Sequence, residues 1–171
     1  MNIKKYFIIA ILFSFIPLEV ISASKREYYI SPGIRIGYSF GQDMTFNLKL
    51  SLGQYGRNTY DHLEFYNVTY GYKFIFFDDK KKHNENFHYF EAQYGSFPED
   101  EDSVINLFNG GSIGILFNKM NGVNNIGFRS TIYSGMWLFP SLELNLYSLE
   151  KIHFDLGVKG VLPIPFDGVS P

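Results

Sequence analysis

Three of the four histidines sit two residues before a residue on the same side of an extended chain: His62 before Glu64, His88 before Phe90 and His153 before Asp155. Side chains two apart on a strand share a face, so Asp155 could orient the His153 imidazole, as a carboxylate orients a general base in covalent catalysis. A base needs a nucleophile, and no serine is set beside this couple by spacing. Cysteine is absent, which removes a thiol nucleophile, a thiolate metal site, a disulfide framework and a lipid-bearing cysteine. Pro98–Asp102 (PEDED) lacks the glycine and the spaced ligands of a calcium loop. Gly110–Gly114 (GGSIG) has neither the Lys-Ser/Thr ending nor the following helix of a phosphate cradle. The residues therefore point to a non-enzymatic chain without catalytic residues, metal or cofactor. A net charge of −2 and a pI near 6.1 leave no basic footprint for nucleic acid. Lys80–Lys82 could touch anionic lipid headgroups or lipopolysaccharide.

The elements that would position these groups alternate with a period of two, and none after the N-terminus keeps a helical period. Ile34, Ile36, Tyr38 and Phe40 share one face, and Arg35, Gly37 and Ser39 the other. After a turn at 41–43, Phe46, Leu48, Leu50 and Leu52 oppose Thr45, Asn47, Lys49, Ser51 and Gly53. Continued along the chain, the alternation predicts eight strands, near 33–40, 45–53, 63–77, 87–96, 112–118, 125–137, 141–147 and 152–161. Residues 25–29 form a short lead-in, Ser31-Pro32 interrupts pairing before Gly33, and Pro163 and Pro165 end it, because proline cannot donate to a ladder. The three longest connections, 54–62, 78–86 and 97–111, are consecutive. The expected fold is all-β: an antiparallel up-and-down β-barrel of about eight strands.

The two faces differ in kind. The apolar faces carry no charge, whereas the polar faces repeat glycine at Gly37, Gly53, Gly71, Gly95, Gly114, Gly127, Gly135 and Gly157. Glycine inside a strand costs roughly 0.5–1 kcal/mol relative to alanine. Repeating it on one face makes sense on the crowded concave side of a narrow barrel. That side would then hold Arg35, Lys49, Lys73, Arg129 and Lys159 together with Glu91, Glu143 and Asp155. Buried charges need partners, so a salt-bridged interior is expected. An open channel is not, since about eight strands leave room only for side chains or one small ligand. Strand four also sets Phe87 and Tyr89 on the polar face. Aromatic residues near strand ends, Tyr28, Tyr29, Phe40, Tyr66, Phe76, Phe77, Phe97, Trp137 and Phe139, could form two interfacial girdles. The same alternation suits a soluble barrel with its oily faces turned inward.

The N-terminus opens with two lysines, an apolar run over residues 6–16 and a small-residue ending. This is the pattern of a secretory signal peptide over residues 1–23, cleaved after Ala23, followed by a single barrel domain over 24–171. The run is shorter than the roughly 20 apolar residues of a spanning helix.

From Tyr28 to Phe166 the pattern resembles the small eight-stranded outer-membrane barrels of Gram-negative bacteria. That resemblance implies chaperoned passage through the periplasm, insertion by the barrel-assembly machinery and contact with membrane lipid. It leads to a non-enzymatic outer-membrane barrel with a structural or surface-interaction role. The alternatives are a soluble secreted or periplasmic barrel binding a small apolar ligand, and an outer-membrane lipid-modifying enzyme built on His153 and Asp155.

Overall fold

Period-two alternation builds eight long strands and one short one in the computed structural model, which describes residues 26–40, 43–58, 62–76, 85–97, 107–120, 123–136, 138–148 and 151–166. The strands are β1 (Glu27–Ser39), β2 (Asp43–Arg57), β3 (Leu63–Phe76), β4 (Glu85–Phe97), β5 (Phe108–Met120), β6 (Val123–Gly135), β7 (Leu138–Ser148), β8 (Lys151–Val161) and β9 (Ile164–Pro165). Each of the eight long strands pairs antiparallel with the next, and β8 returns to β1 from Gly33↔Val161 to Ser39↔Asp155. The sheet is thus a closed up-and-down barrel without a free edge. The proposed leader at 1–23, PEDED at 98–102, Lys80–Lys82, Phe77 and Trp137 all lie outside the described residues.

The register fixes the barrel's stagger. Partners run Tyr29, Gly53, Asn67, Gln93, Ser112, Thr131, Glu143, Asp155 and then Ser39, so one circuit returns to β1 ten residues further along. With a rise of about 3.3 Å and a strand spacing near 4.8 Å, that shear tilts the strands by roughly 40°. All of these partners point into the barrel, so the walk threads the interior from one end to the other.

Several strands reach beyond the ranges expected from alternation. β1 begins at Glu27, and Pro32 pairs with Leu50 inside it. The amide and carbonyl of one residue face the same neighbour. The Pro32 carbonyl accepts from the Leu162 amide at 3.0 Å, so the missing N–H of Pro32 faces the point where β8 gives way to β9. Pro163 does not end pairing either: Ile164 and Pro165 rejoin β1 opposite Ile30 and Tyr29, and the Phe166 amide donates to the Tyr28 carbonyl at 3.0 Å. β2 continues to Arg57, β5 starts at Phe108 and β7 at Leu138, in stretches expected to be loop. Between β6 and β7, Gly135 adopts a φ of 153°, a conformation that side chains rarely take.

The interior is layered. At the end where β1 starts, Tyr29, Tyr55, Phe65, Phe108, Tyr133 and Phe139 form a chain of aromatic contacts, with centroids 5.1 Å apart for Phe65–Phe108 and 5.5 Å for Phe108–Phe139. Toward the other end Ile75, Phe87, Tyr89 and Leu116 form a buried apolar cluster. Charged side chains fill the space between. Tyr29 and Phe139 are therefore interior residues and not girdle residues: each shares its strand's parity with a buried charge, Arg35 and Glu143. Tyr28, Phe40 and Phe76 do face outward and are exposed.

Tyr89 fits inside because a glycine opposes it. Gly71 pairs with Tyr89, and a Cβ on Gly71 would overlap the Tyr89 ring. Gly110 pairs with Tyr133 in the same way, and a Cβ there would come within 2.5 Å of that ring. The inward glycines are thus the floors on which inward aromatics lie.

The charged barrel interior as candidate functional site

Alternation aims the eight candidate charges at the barrel axis, and all eight are buried: Arg35, Lys49, Lys73, Glu91, Arg129, Glu143, Asp155 and Lys159. Glu143 is the hub. Arg129 grips it with two nitrogens, Nη1 to Oε1 at 3.1 Å and Nη2 to Oε2 at 2.9 Å. Lys73 Nζ donates to Glu143 Oε1 at 2.8 Å, and Arg35 Nη1 stands 3.3 Å from Oε2. Lys73 also pairs with Asp155, and Arg129 Nε donates to Glu91 Oε2 at 2.9 Å. Six of the eight charges form one connected network.

Neutral side chains of the same parity complete it. Asn145 Nδ2 donates to Glu143 at 2.8 Å and to Asp155 at 3.2 Å. Arg35 Nε donates to Ser141 Oγ at 2.9 Å, and Arg35 Nη2 to the Asp155 carbonyl at 3.1 Å. Glu91 accepts from Ser112 at 3.1 Å and from Gln93, which also donates to Thr69 at 3.0 Å. The Arg129 guanidinium lies 4.0 Å from the Tyr89 ring centroid, so that aromatic is both packing and cation partner. The polar residues Ser112, Ser141, Asn145 and Gln93 were readable as interior from parity alone, but they did not stand out as chemistry-bearing.

Lys49 and Lys159 stay outside the network. Lys159 Nζ sits 2.7 Å from the Tyr133 ring centroid and 5.9 Å from that of Phe139, so its partner is an aromatic face. Lys49 is buried with no hydrogen bond or ion pair to another described residue, and its stem packs where a Cβ of Gly33 would lie. The interior therefore carries five cations against three carboxylates among these eight residues.

The histidines take up three different settings, and the carboxylate beside His153 has other partners. Asp155 holds Lys73 and Asn145. His88 faces outward, where its Nδ1 is 2.6 Å from the Tyr70 hydroxyl and its ring stacks on Phe117. His62 closes the turn after β2: its amide donates to Asn58 Oδ1 at 3.0 Å and its carbonyl accepts from the Asn58 amide at 2.9 Å. His62 and Glu64 thus join a turn and a rim, His88 an outer face and His153 an inward-facing position, and the structure brings no two of the three histidines together. Among the described residues no group of three or more His, Asp or Glu is arranged to hold a metal ion. What the interior can do chemically is lock strands together and fill the lumen.

The outer surface is the reverse of the interior. On every strand the outward side chains are largely apolar, from Ile34, Ile36, Leu48, Leu50 and Leu52 through Val68, Phe90, Ile126 and Ile132 to Leu142, Leu156 and Val158. Leu48 is 46% exposed while Lys49 beside it is 8% exposed. Glu64 is the one charged side chain among the outward strand residues whose side chains are described.

No family model and no curated protein matches this chain. A solved structure described as "De novo design of transmembrane beta-barrels" is similar at 12% identity and a TM-score of 0.36, over 82% of this chain and 99% of that one.

Proposed function

We propose that the mature protein is a non-enzymatic β-barrel of the outer membrane, a lipid-embedded envelope element whose lumen is filled and whose work is done by its surface. The observation that supports this is the inverted distribution of polarity: oily side chains exposed around the outside, charges buried within. A monomer in water rarely exposes a contiguous apolar patch beyond about 600 Å². Here the outward apolar residues of β1 and of Phe40 just after it, from Tyr28 onward, extend about 30 Å along the axis at a tilt of roughly 40°, against a band of about 25 Å in membrane barrels.

A soluble barrel for an apolar ligand needs the opposite arrangement, an oily lumen around a vacancy. The lumen of this chain is occupied by ion pairs and rings. A lipid-modifying enzyme needs an activated nucleophile; Asp155, the carboxylate of the only strong candidate couple, is engaged by Lys73. The route to the membrane is proposed to begin with removal of residues 1–23 and to end with folding by the barrel-assembly machinery.

Fractionation tests this reading. The full chain expressed in a Gram-negative host should be recovered from the outer membrane only with detergent. It should migrate differently on gels before and after boiling, and begin at Ser24. Recovery as a detergent-free soluble protein in the periplasm would overturn it.

A further inference from the structure

The surplus of cations over carboxylates in the lumen is concentrated at one place. Lys49 on β2 pairs with Gly33 on β1, and Gly33 pairs on its other side with Val161 of β8, two residues from Lys159. The register sets the two lysines two residues apart across β1, and the tilt of the strands takes back about as much, so they stand at one height. Because Gly33 has no side chain, the Lys49 stem lies across β1 there, with its Cγ and Cε 3.1 and 2.7 Å from the position of a Cβ. Its ammonium is thereby carried toward β8, the strand of Lys159. A glycine at 33 lets two like charges converge.

No carboxylate answers them. Glu143 and Asp155 are engaged by Lys73, Arg35 and Arg129, and Glu91 accepts from Arg129, Ser112 and Gln93. Lys159 has the Tyr133 ring beneath it, which offsets part of a positive charge. Lys49 has no hydrogen bond or ion pair to another described residue. An ammonium taken out of water needs a counter-charge.

The lumen has space at this level and none at the next. Lys73, Glu143, Asn145 and Asp155 are 0% exposed, whereas Lys49 is 8%, Gln93 7% and Lys159 4% exposed. The side chains of Arg129 and Glu91, which border both layers, also keep some surface. The polar atoms that are sealed from water and unpartnered include Arg35 Nη1, Asn47 Nδ2 and Thr131 Oγ1, but neither lysine nitrogen. Each ammonium therefore opens on space that a water molecule can touch. The hydroxyl of Ser31, the inward residue before Gly33 on β1, is likewise unsealed and without a hydrogen bond to another described residue.

We propose that the space between Lys49 and Lys159 holds a small monovalent anion of halide size, such as chloride, gripped by the two ammoniums and the Ser31 hydroxyl. Water answers the hydrogen bonds of these donors but not their charge. Exposures of a few per cent fit one atom-sized ion and not a phosphate. The ion takes the place of a missing acidic side chain and ties β2 to β8 across β1, at the seam where the sheet closes. The inference rests on the closed sheet and its buried charges, and is independent of the compartment in which the barrel resides.

The test uses the full mature chain, folded without halide in non-ionic detergent, or in buffer alone if it folds there. Sodium gluconate sets the ionic strength, chloride or bromide replaces it stepwise, and urea unfolding is followed by intrinsic fluorescence. Because the ion binds the closed barrel and not the open chain, the folding constant should rise about tenfold for each tenfold rise in halide above its dissociation constant. Lys49→Met should abolish that response, and in halide-free buffer it should be at least as stable as the unmodified chain, since it removes an unpaired charge. Lys159→Met should abolish the response as well, so the result does not hang on one variant folding. Crystals grown in bromide without chloride should show a bromide in contact with both lysine nitrogens. A folding constant indifferent to halide overturns the proposal, and a bromide seen in the crystal is then an adventitious ion only. A response that survives in both variants, or a crystal without bromide between the lysines, places the ion elsewhere and overturns it too.

Discussion

Arg129 and Glu143 face each other as a fork, with two parallel bonds of 2.9 and 3.1 Å, in the middle of a barrel where neither meets solvent. Because Lys73 and Arg35 converge on the same carboxylate, Glu143 bridges three cations, two of which also reach Asp155 or Glu91. Glu143→Gln would leave them facing one another in a medium that cannot screen them. Loss of one partner from a buried pair costs about 3–5 kcal/mol, and we expect at least the lower figure in urea unfolding from detergent micelles. Arg129→Met combined with Glu143→Gln should recover part of that loss, since removing both members of a buried pair is milder than removing one. A double variant no more stable than Glu143→Gln would show that the fork is not the dominant contact of Glu143.

The glycine floors give a second expectation. A methyl group at Gly71 must displace Tyr89, which is itself held against Arg129, so Gly71→Ala should cost roughly 1–3 kcal/mol as an overpacking change. At Gly160 a Cβ would meet nothing within 4 Å. Gly160→Ala should therefore be neutral or stabilising by up to about 1 kcal/mol. Thermal melts followed by gel mobility would rank the pair, and equal effects would refute the role given to Tyr89.

Lipid contact makes a third. Leu50 faces outward between Pro32 and Tyr70, well inside the apolar band. Leu50→Arg should lower the stability of the barrel folded into vesicles by roughly 2–4 kcal/mol, the cost of arginine near the bilayer midplane. On a surface facing water the same change would be worth less than about 0.5 kcal/mol.

The filled lumen makes a fourth. With aromatic contacts at one end, an ion-pair network in the middle and an apolar cluster beyond it, the reconstituted protein should show no stepwise current across a planar bilayer. Discrete openings of the unmodified chain would mean that the interior side chains move aside.

Much of this was written in the alternation of side chains. Leu48 and Lys49 can be assigned to opposite faces from parity, and the repeated glycines mark which face is concave. Parity also places all eight charges in one interior. The pairing of those charges was not legible. It depends on the ten-residue stagger, which brings Lys73 of β3 to Asp155 of β8, and no local pattern encodes a shear. Tyr29 and Phe139 looked like girdle residues because nearness to a strand end was given more weight than parity. Alternation stops β1 short at Pro32, because proline cannot donate to a ladder, although its missing donor faces a gap in the neighbouring strand. The setting of Glu64 is not legible either: its partners come from the turn before β3, from β3 itself and from β4, and only the pairing register brings them together.

Closure also has a consequence in time. The seam that β1 makes with β8 and β9 joins residues as distant as Arg35 and Asp155, 120 positions apart, whereas every other seam links successive strands. The first strand made thus waits for the last before its outer edge is satisfied, and such non-local contacts slow folding because a long loop must close before they form. Until then two unpaired edges and an oily exterior are presented together, the combination most prone to aggregate. The rate at which this protein matures should be governed by that single seam, and weakening it should slow folding more than weakening any other pair of strands.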